Sequence, residues 1–160
     1  MKISLLSIYP NIESFGIRTL SACLKKEGHA VDLFFLTRGF YQRFEEKTLD
    51  DLVKLTKDSN LIGISLMSNF WDNAIQITKK LKENYETPIL WGGAHPTVRP
   101  DECLDYADMV CIGESEETLL ELTRKMEKGQ YYYDTKGMKF WTDKKKIGDG
   151  HRPLPGSEGS

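Results

Sequence analysis

Two apolar segments of the chain each run into a short segment rich in glycine and polar residues. Ile89-Leu90-Trp91 leads into Gly92-Gly93-Ala94-His95-Pro96-Thr97, and Met109-Val110-Cys111-Ile112 leads into Gly113-Glu114-Ser115. Glycine has no Cβ, so a bulky group can approach the backbone closely at such positions. The two segments therefore predict a ligand site that lies across the ends of two neighbouring strands.

The cysteines predict no metal site and no disulfide framework. Cys23, Cys103 and Cys111 are odd in number and widely spaced, and no Cys-x-x-Cys pair occurs. We interpret them as small buried hydrophobic residues. Of the three histidines only His95 lies within a motif, where contact with a ligand and capping of the next turn are equally good interpretations.

The elements that must position these residues alternate between strand and helix. Apolar segments of strand length occur at 3–8, 31–36, 61–66, 89–91 and 109–112, and helical periodicity separates them, with Thr48 as the expected N-cap of the second helix. Near-continuous apolar strands between amphipathic helices are typical of a parallel sheet covered on both faces. We predict an α/β fold with a flavodoxin-like, doubly wound, Rossmann-like sheet of five parallel strands.

The character of the chain changes after Gly129. Residues 1–129 form one predicted domain, and residues 130–160 form a hairpin and linker extension in which 131–133 and 137–141 are expected to form a small hairpin with 145–147. The Gly-, Pro- and Ser-rich residues from Gly148 onward are typical of a linker, which predicts that this chain is one piece of a longer protein.

Charge and hydropathy limit the classes of partner that we expect for this chain. The net charge is −2, so neither nucleic acid nor an anionic membrane is an expected partner. No apolar run approaches the ~20 residues of a membrane span, and no signal peptide begins the chain. We expect a cytoplasmic protein.

The predicted fold also says where a ligand lies, because open parallel sheets bind ligands at the carboxyl ends of their strands. The loops at these ends are 9–16, 67–72, 92–99 and 113–115. The first loop lacks the Gly-x-Gly-x-x-Gly pattern of dinucleotide sites, and a phosphate-binding P-loop is also absent. Acidic residues of the kind that a phosphoacceptor needs do not follow the first or third strand. The class of ligand that remains after these exclusions is large and mostly apolar.

At these loops the chain resembles cobalamin-binding domains, specifically the N-terminal domain of cobalamin-dependent radical SAM enzymes. Such domains carry Asp-x-His-x-x-Gly after the first strand, Ser-x-Leu after the third and Gly-Gly after the fourth. Gly92-Gly93 matches the last motif, Ser65-Leu66-Met67 matches the second with Met in place of Leu, and Gly16 matches the glycine of the first. Asn11 and Glu13 stand where the family has Asp and His, so the usual cobalt-ligating histidine is missing.

The radical SAM branch of the family shares this departure, together with Gly-Gly-x-His-Pro-Thr and with Gly-Glu after the fifth strand. The likeness covers residues 1 to about 127, and the Cys-x-x-x-Cys-x-x-Cys motif of a radical SAM barrel is not in this chain. The resemblance implies a module that holds the corrinoid base-off, without a histidine ligand. The parent enzyme would carry out methyl transfer or oxidative cyclisation, with its 4Fe-4S cluster and S-adenosylmethionine in a barrel elsewhere in the same chain. This module alone would have no catalytic residues.

The resemblance also implies the positions that contact the cofactor. In such domains a corrin ring lies over the strand ends while the nucleotide tail inserts between the sheet and the helices. The expected contacts are Tyr9, Pro10, Asn11, Glu13, Phe15, Gly16, Ser65, Leu66, Met67, Ser68, Trp71, Gly92, Gly93, Ala94, His95, Pro96, Thr97, Gly113, Glu114 and Ser115.

Simpler interpretations stay open for several of these residues. Gly92-Gly93 can be a tight strand exit, Ser65 a buried hydroxyl bonded to backbone, and Trp71 a packing residue. Glu114 can be an acid that favours the N-terminus of the last helix. The alternative function is a degenerate flavodoxin-like domain that keeps the fold, has lost cobalamin and serves only in docking.

Overall fold

The computed structural model describes residues 1–9, 15–37, 42–142 and 145–148. The strands are β1 (Lys2–Ile8), β2 (Ala30–Phe35), β3 (Leu61–Leu66), β4 (Ile89–Gly92), β5 (Met109–Cys111), β6 (Met138–Thr142) and β7 (Lys145–Ile147). The α-helices are α1 (Phe15–Lys26), α2 (Glu46–Thr56), α3 (Trp71–Asn84), α4 (Ala94–Val98), α5 (Pro100–Cys103) and α6 (Glu116–Glu127). A 3₁₀ turn, Ser68–Phe70, precedes α3.

The strands form one sheet in the order β2-β1-β3-β4-β5-β6-β7. The first five are parallel, which confirms the predicted doubly wound fold, and the hairpin of β6 and β7 adds antiparallel strands beside β5. The chain moves from β1 outward to β2 and then returns to β3 on the other side of β1. The direction of winding therefore reverses between β1 and β3, and ligands bind at such a reversal in open α/β sheets.

Alternate residues of each strand face opposite sides of the sheet, and each side has its own hydrophobic core. Ile64 and Trp91 belong to the core that α2 and α3 cover. Leu5, Leu90 and Phe140 belong to the core beneath α1 and α6. Both faces are covered because the strands are apolar on both sides, as the near-continuous apolar segments predict.

The predicted N-cap of α2 is wrong. The helix begins at Glu46, after an extended Glu45 that makes no side-chain capping bond, and Thr48 lies within the first turn. Two other interactions position this helix start. The backbone N–H and C=O of Phe44 both bond to the Gln76 side chain of α3, and Glu46 places a negative charge at the positive end of the helix dipole.

The hairpin is built into the sheet. Met138 and Phe140 of β6 are fully buried against the core beneath α1 and α6. On the opposite face Lys139 contacts Asp101 of α5, with 3.1 Å between its Nζ and the carboxylate. The pairing of β6 with β7 confirms the part of the predicted hairpin that 137–141 and 145–147 form. Residues 131–133 lie in no strand, and Tyr132 and Tyr133 instead contact the Phe140 ring. Residues 149–160 of the expected linker lie outside the described residues.

The described helices are all too short or too polar to cross a membrane.

Candidate functional site

A cavity of about 570 Å³ opens at the carboxyl ends of β1, β3 and β4, on the side of the sheet that α1 and α6 cover. It lies at the reversal between β1 and β3. Eight predicted contact residues line it: Tyr9, Gly16, Ser65, Gly92, Gly93, Gly113, Glu114 and Ser115. Eight further lining residues were not predicted: Leu5, Ile17, Leu20, Gly63, Ile64, Leu90, Glu116 and Leu119. The predicted residues Pro10, Asn11 and Glu13 lie outside the described residues, and Phe15 begins α1.

Gly63 allows close packing in the wall of the cavity. It lies in the middle of β3, with Leu5 of β1 and Leu90 of β4 as its paired neighbours. A Cβ at this position would lie 2.9 Å from Leu5 Cδ2 and 3.7 Å from Leu90 Cδ2. Leu5 therefore occupies the space that a side chain at 63 would need, and glycine lets Leu5 pack closely across β3 in the wall of the cavity. A glycine inside an apolar strand is the sequence signal for such a close approach, although it belongs to none of the motifs that predicted the site.

The two glycines after β4 differ in their surroundings. Gly93 has φ +107°, and a Cβ there would lie 2.8 Å from the carbonyl oxygen of Leu66 and 3.2 Å from its nitrogen. Packing of the loop on the end of β3 therefore requires glycine at 93. At Gly92 a Cβ would meet only ordinary contacts, 3.9 Å from Cys111 Cβ and from Ser115 Oγ. Gly92 is the glycine whose missing side chain leaves free space at the cavity.

Ser65 offers a hydroxyl at the end of β3. The residue is half-buried and lines the cavity beside Gly93. Among the described residues its hydroxyl has no hydrogen-bond partner, so the interpretation of a hydroxyl bonded to backbone does not hold within this part of the chain. A hydroxyl at a concave, mostly apolar site can bond to a ligand nitrogen or oxygen.

The remaining predicted residues do not line the cavity and lie in the segments beside it: Leu66, Met67, Ser68, Trp71, Ala94, His95, Pro96 and Thr97. Leu66 and Pro96 are buried, whereas Met67 and Ala94 are exposed. The structure thus divides the predicted site into a cavity and an outer surface at the same edge of the sheet.

His95 is held by local structure. Its Nδ1 lies 2.9 Å from the Ser68 hydroxyl, and its ring lies 4.6 Å from the Trp71 ring. Its Nε2 is buried, has no hydrogen-bond partner among the described residues and lies 3.9 Å from a carboxylate oxygen of Glu102. Neither ring nitrogen therefore stands free on the outer surface, and His95 joins the 3₁₀ turn after β3 to α4.

Trp71 packs as part of an aromatic cluster. Its ring meets those of Trp91 and Tyr106 edge to face, at centroid distances of 5.5 and 5.6 Å. The buried Trp91 donates its indole N–H to Thr78 of α3 at 3.0 Å. The half-buried Trp71 is therefore fixed by packing, and only its remaining surface is open to a ligand at the strand ends.

Thr97 connects the two loops that follow β4 and β5. Its hydroxyl donates to the Gly93 carbonyl at 2.8 Å and accepts from the Gly113 N–H at 3.0 Å. Gly113 itself has φ +78°, a left-handed conformation that favours glycine. The predicted Gly-Gly and Gly-Glu loops are thus joined by one side chain.

Two of the three cysteines are placed for packing in the core. Cys103 and Cys111 are buried, as interpreted from the sequence, and Cys23 is half-buried. Burial, with smaller contributions from Glu102 and Asp105, raises the pKa of Cys103 to about 12, which keeps the thiol protonated. Within the described ranges no three His, Cys, Asp or Glu residues are grouped in a way that could hold a metal ion.

Comparisons with known proteins agree with this geometry. A family model described as B12 binding domain matches residues 1–123. The chain is similar to the radical S-adenosylmethionine methyltransferase TsrM from Kitasatospora setae, solved with cobalamin and a 4Fe-4S cluster bound. The TM-score is 0.76 at 17% identity, over 99% of this chain and 30% of that one.

It is also similar to the cobalamin-dependent S-adenosylmethionine radical enzyme OxsB, solved with aqua-cobalamin and S-adenosylmethionine bound. Here the TM-score is 0.74 at 18% identity, over 96% of this chain and 22% of that one. At these identities the likeness shows the fold alone, and the chain spans less than a third of either structure. No curated protein matches the chain.

Proposed function

The chain belongs to the B12-binding domain family, and on that premise we propose that it binds cobalamin as a module of a cobalamin-dependent radical SAM enzyme. The cavity at the reversal of the sheet is the observation that carries the proposal. It has the volume of a small-molecule site and is lined mainly by apolar side chains and glycines. Those properties suit the nucleotide tail of cobalamin better than they suit a free phosphate or a metal ion.

The residues present fit this group. Gly92 leaves room for the tail beside β4, and the Ser65 hydroxyl, to which no described residue bonds, supplies a hydrogen bond in a mostly apolar cavity. Gly113, Glu114 and Ser115 form the adjoining part of the wall. The corrin ring would lie over the outer surface, where Met67 and Ala94 are exposed.

The parent reaction is a proposal of its own. When bound, cobalamin supplies a cobalt centre that can carry a methyl group or exchange electrons. We propose that the parent enzyme uses it for methyl transfer or oxidative cyclisation. Its S-adenosylmethionine and 4Fe-4S cluster would lie in a barrel outside this chain, which spans less than a third of the TsrM and OxsB structures. Residues 1–129 would form the cobalamin-binding domain, and residues 130–160 would lead to that barrel.

We further propose that the cofactor is held base-off with no histidine below the cobalt. Glu13 replaces the histidine of the motif. His95 uses Nδ1 on Ser68 and keeps Nε2 buried, while His29 contacts the amino group of Met1 at the opposite edge of the sheet. The described histidines are thus engaged elsewhere, which leaves water, a weak oxygen contact or no ligand below the cobalt.

Binding is tested with the purified chain and hydroxocobalamin. The mixture is gel filtered and a visible spectrum of the protein peak is recorded. We expect the protein to retain close to one equivalent of the corrinoid. Colourless protein would contradict the proposal and favour the degenerate docking domain. Gly92→Leu is the informative variant, since a Cβ at 92 meets only ordinary contacts and the longer side chain would enter the cavity, so retention should be lost. Leu55→Ala, at an exposed position on α2 away from the cavity, is the control.

The coordination proposal has a separate test. The electron paramagnetic resonance spectrum of the bound cobalamin in its Co(II) form should show no splitting from an axial nitrogen. Strong nitrogen splitting in the wild type would contradict the proposal that no nitrogen ligand lies below the cobalt. If it appeared, its loss in His95→Gln would identify His95 as the ligand, while its persistence would point to the tail base.

A further inference from the structure

We propose that Thr97 is a positioning residue that holds together the adjoining loops after β4 and β5, which form the side of the cavity mouth against which a nucleotide tail would lie. The inference rests on the proposed function. The inference goes beyond that function by assigning a part in tail recognition to a side chain that does not itself line the cavity.

The loops after β4 and β5 lie beyond the residues at which the two strands pair. The paired register of β4 and β5 consists of Leu90 with Met109 and Trp91 with Val110. Gly93 and Gly113 lie beyond the last of these pairs, on adjoining loops that both line the cavity. Another interaction must therefore fix the distance between the loops.

The Thr97 hydroxyl supplies that interaction. A hydroxyl has one hydrogen to donate, which goes to the Gly93 carbonyl at 2.8 Å, and it can also accept, which it does from the Gly113 N–H at 3.0 Å. The bond to Gly93 alone would be an ordinary contact between a threonine and the carbonyl four residues earlier. The bond from Gly113 is different, because it spans sixteen residues of sequence and joins the second loop.

The bridge acts on the tail and not on the corrin ring. Gly92, Gly93 and Gly113 line the cavity proposed for the tail, whereas the ring would lie on the outer surface. Loss of the bridge lets the loops separate, so the cavity no longer fits the tail closely. A corrinoid without a nucleotide tail does not depend on that fit.

The experiment compares two corrinoids in the full chain. Dissociation constants for hydroxocobalamin and for diaquacobinamide, which lacks the nucleotide tail, are measured by spectral titration. Thr97→Val removes the hydroxyl at nearly constant volume, and Thr97→Ser keeps it. We expect Thr97→Val to weaken hydroxocobalamin binding roughly threefold to tenfold, the range that a single hydrogen bond provides, with cobinamide unchanged. Thr97→Ser should bind both as the wild type does.

Thr56→Val is the matched control for a general loss of stability. The Thr56 hydroxyl donates to the Leu52 carbonyl at 2.8 Å, four residues earlier in α2, and also contacts the Tyr85 hydroxyl. Its removal deletes the same kind of bridge, remote from the cavity. We expect a lower unfolding midpoint and unchanged binding of both corrinoids.

A second readout needs no cofactor. The Gly113 amide should exchange with solvent faster in Thr97→Val than in the wild type and Thr97→Ser, because its acceptor is gone. Wild-type binding by Thr97→Val, or equal losses for both corrinoids, would overturn the role of Thr97 and leave the proposed function standing. If the wild type retained neither corrinoid, the proposed function would fail as well.

Discussion

Glycine serves two different purposes at neighbouring positions after β4. Gly93 is required by the protein itself, because its φ of +107° and the Leu66 backbone leave no place for a Cβ. Gly92 has ordinary space around the position of a Cβ and faces the cavity. A Gly-Gly motif does not distinguish the two positions in the sequence. In the folded chain Gly93 is needed for packing, and only at Gly92 is the missing side chain explained by a ligand alone.

This difference predicts opposite effects of the two alanine variants. Gly93→Ala should lower the free energy of unfolding by about 1–3 kcal/mol, the cost of a strained backbone conformation. Gly92→Ala should leave stability unchanged or slightly raised, since glycine costs more chain entropy on folding. It should nevertheless weaken hydroxocobalamin binding, because its methyl group enters the cavity. Urea denaturation and spectral titration measure the two quantities, and wild-type affinity in Gly92→Ala would exclude this path for the tail.

At the scale of elements, most of the fold could be predicted from the sequence, and the reasons are local. Apolar segments of strand length ending at turn residues identified all five parallel strands. The N-cap of α2 could not be found in this way, because tertiary bonds between Phe44 and Gln76 position that helix.

The site was predictable to the level of its loops but not of its interactions. Motifs located Gly92, Ser65 and Gly113, which line the cavity. The roles of His95 and Thr97 depend on bonds to Ser68 and Gly113, residues far away in sequence that only the folded chain brings together.

Burial of Phe140 should stabilise the hairpin of β6 and β7 far more than the ion pair of Lys139 does. Phe140 is fully buried, so Phe140→Ala should cost about 3–5 kcal/mol of unfolding free energy. Lys139→Ala removes a contact with a mostly exposed Asp101 carboxylate and should cost at most about 1 kcal/mol. Thermal or urea denaturation of both variants compares them. A loss below about 0.5 kcal/mol for Phe140→Ala, well under the usual cost of such a cavity, would show that the hairpin behaves as a separate linker.

On the scale of the whole molecule, the two edges of the sheet have separate chemistry. The carboxyl ends of the strands carry the cavity. At the other edge, the amino group of Met1 lies 3.2 Å from His29 Nδ1 and 3.7 Å from the Glu127 carboxylate, and Arg124 pairs with Glu27 nearby. His29 is buried there, so titration at this edge should affect folding without acting through the cofactor site.

The free energy of unfolding should therefore decrease as the pH is lowered, over two separate pH ranges. Burial, followed by the charge of the N-terminus, lowers the pKa of His29 from 6.5, while Glu127 and Glu27 oppose this more weakly. As the pH falls below about 6.5, the unfolded chain takes up a proton on this histidine before the folded chain does, so the folded state loses stability. The Arg124 hydrogen bond lowers the pKa of Glu27 from 4.5, so its contribution is present above that pH and is lost as the pH falls further.

The variant His29→Gln should separate these pH ranges. Urea midpoints are measured at about pH 7.5, 5.5 and 4.0 for the wild type and the variant, values that bracket the unfolded pKa of histidine and reach that of glutamate. The wild type should lose stability over the upper interval, because its unfolded state binds the extra proton, whereas the variant should lose little there. Both should lose stability over the lower interval, since the Glu27 pair is intact in each. An equal loss over the upper interval in both proteins would show that His29 is not the titrating group.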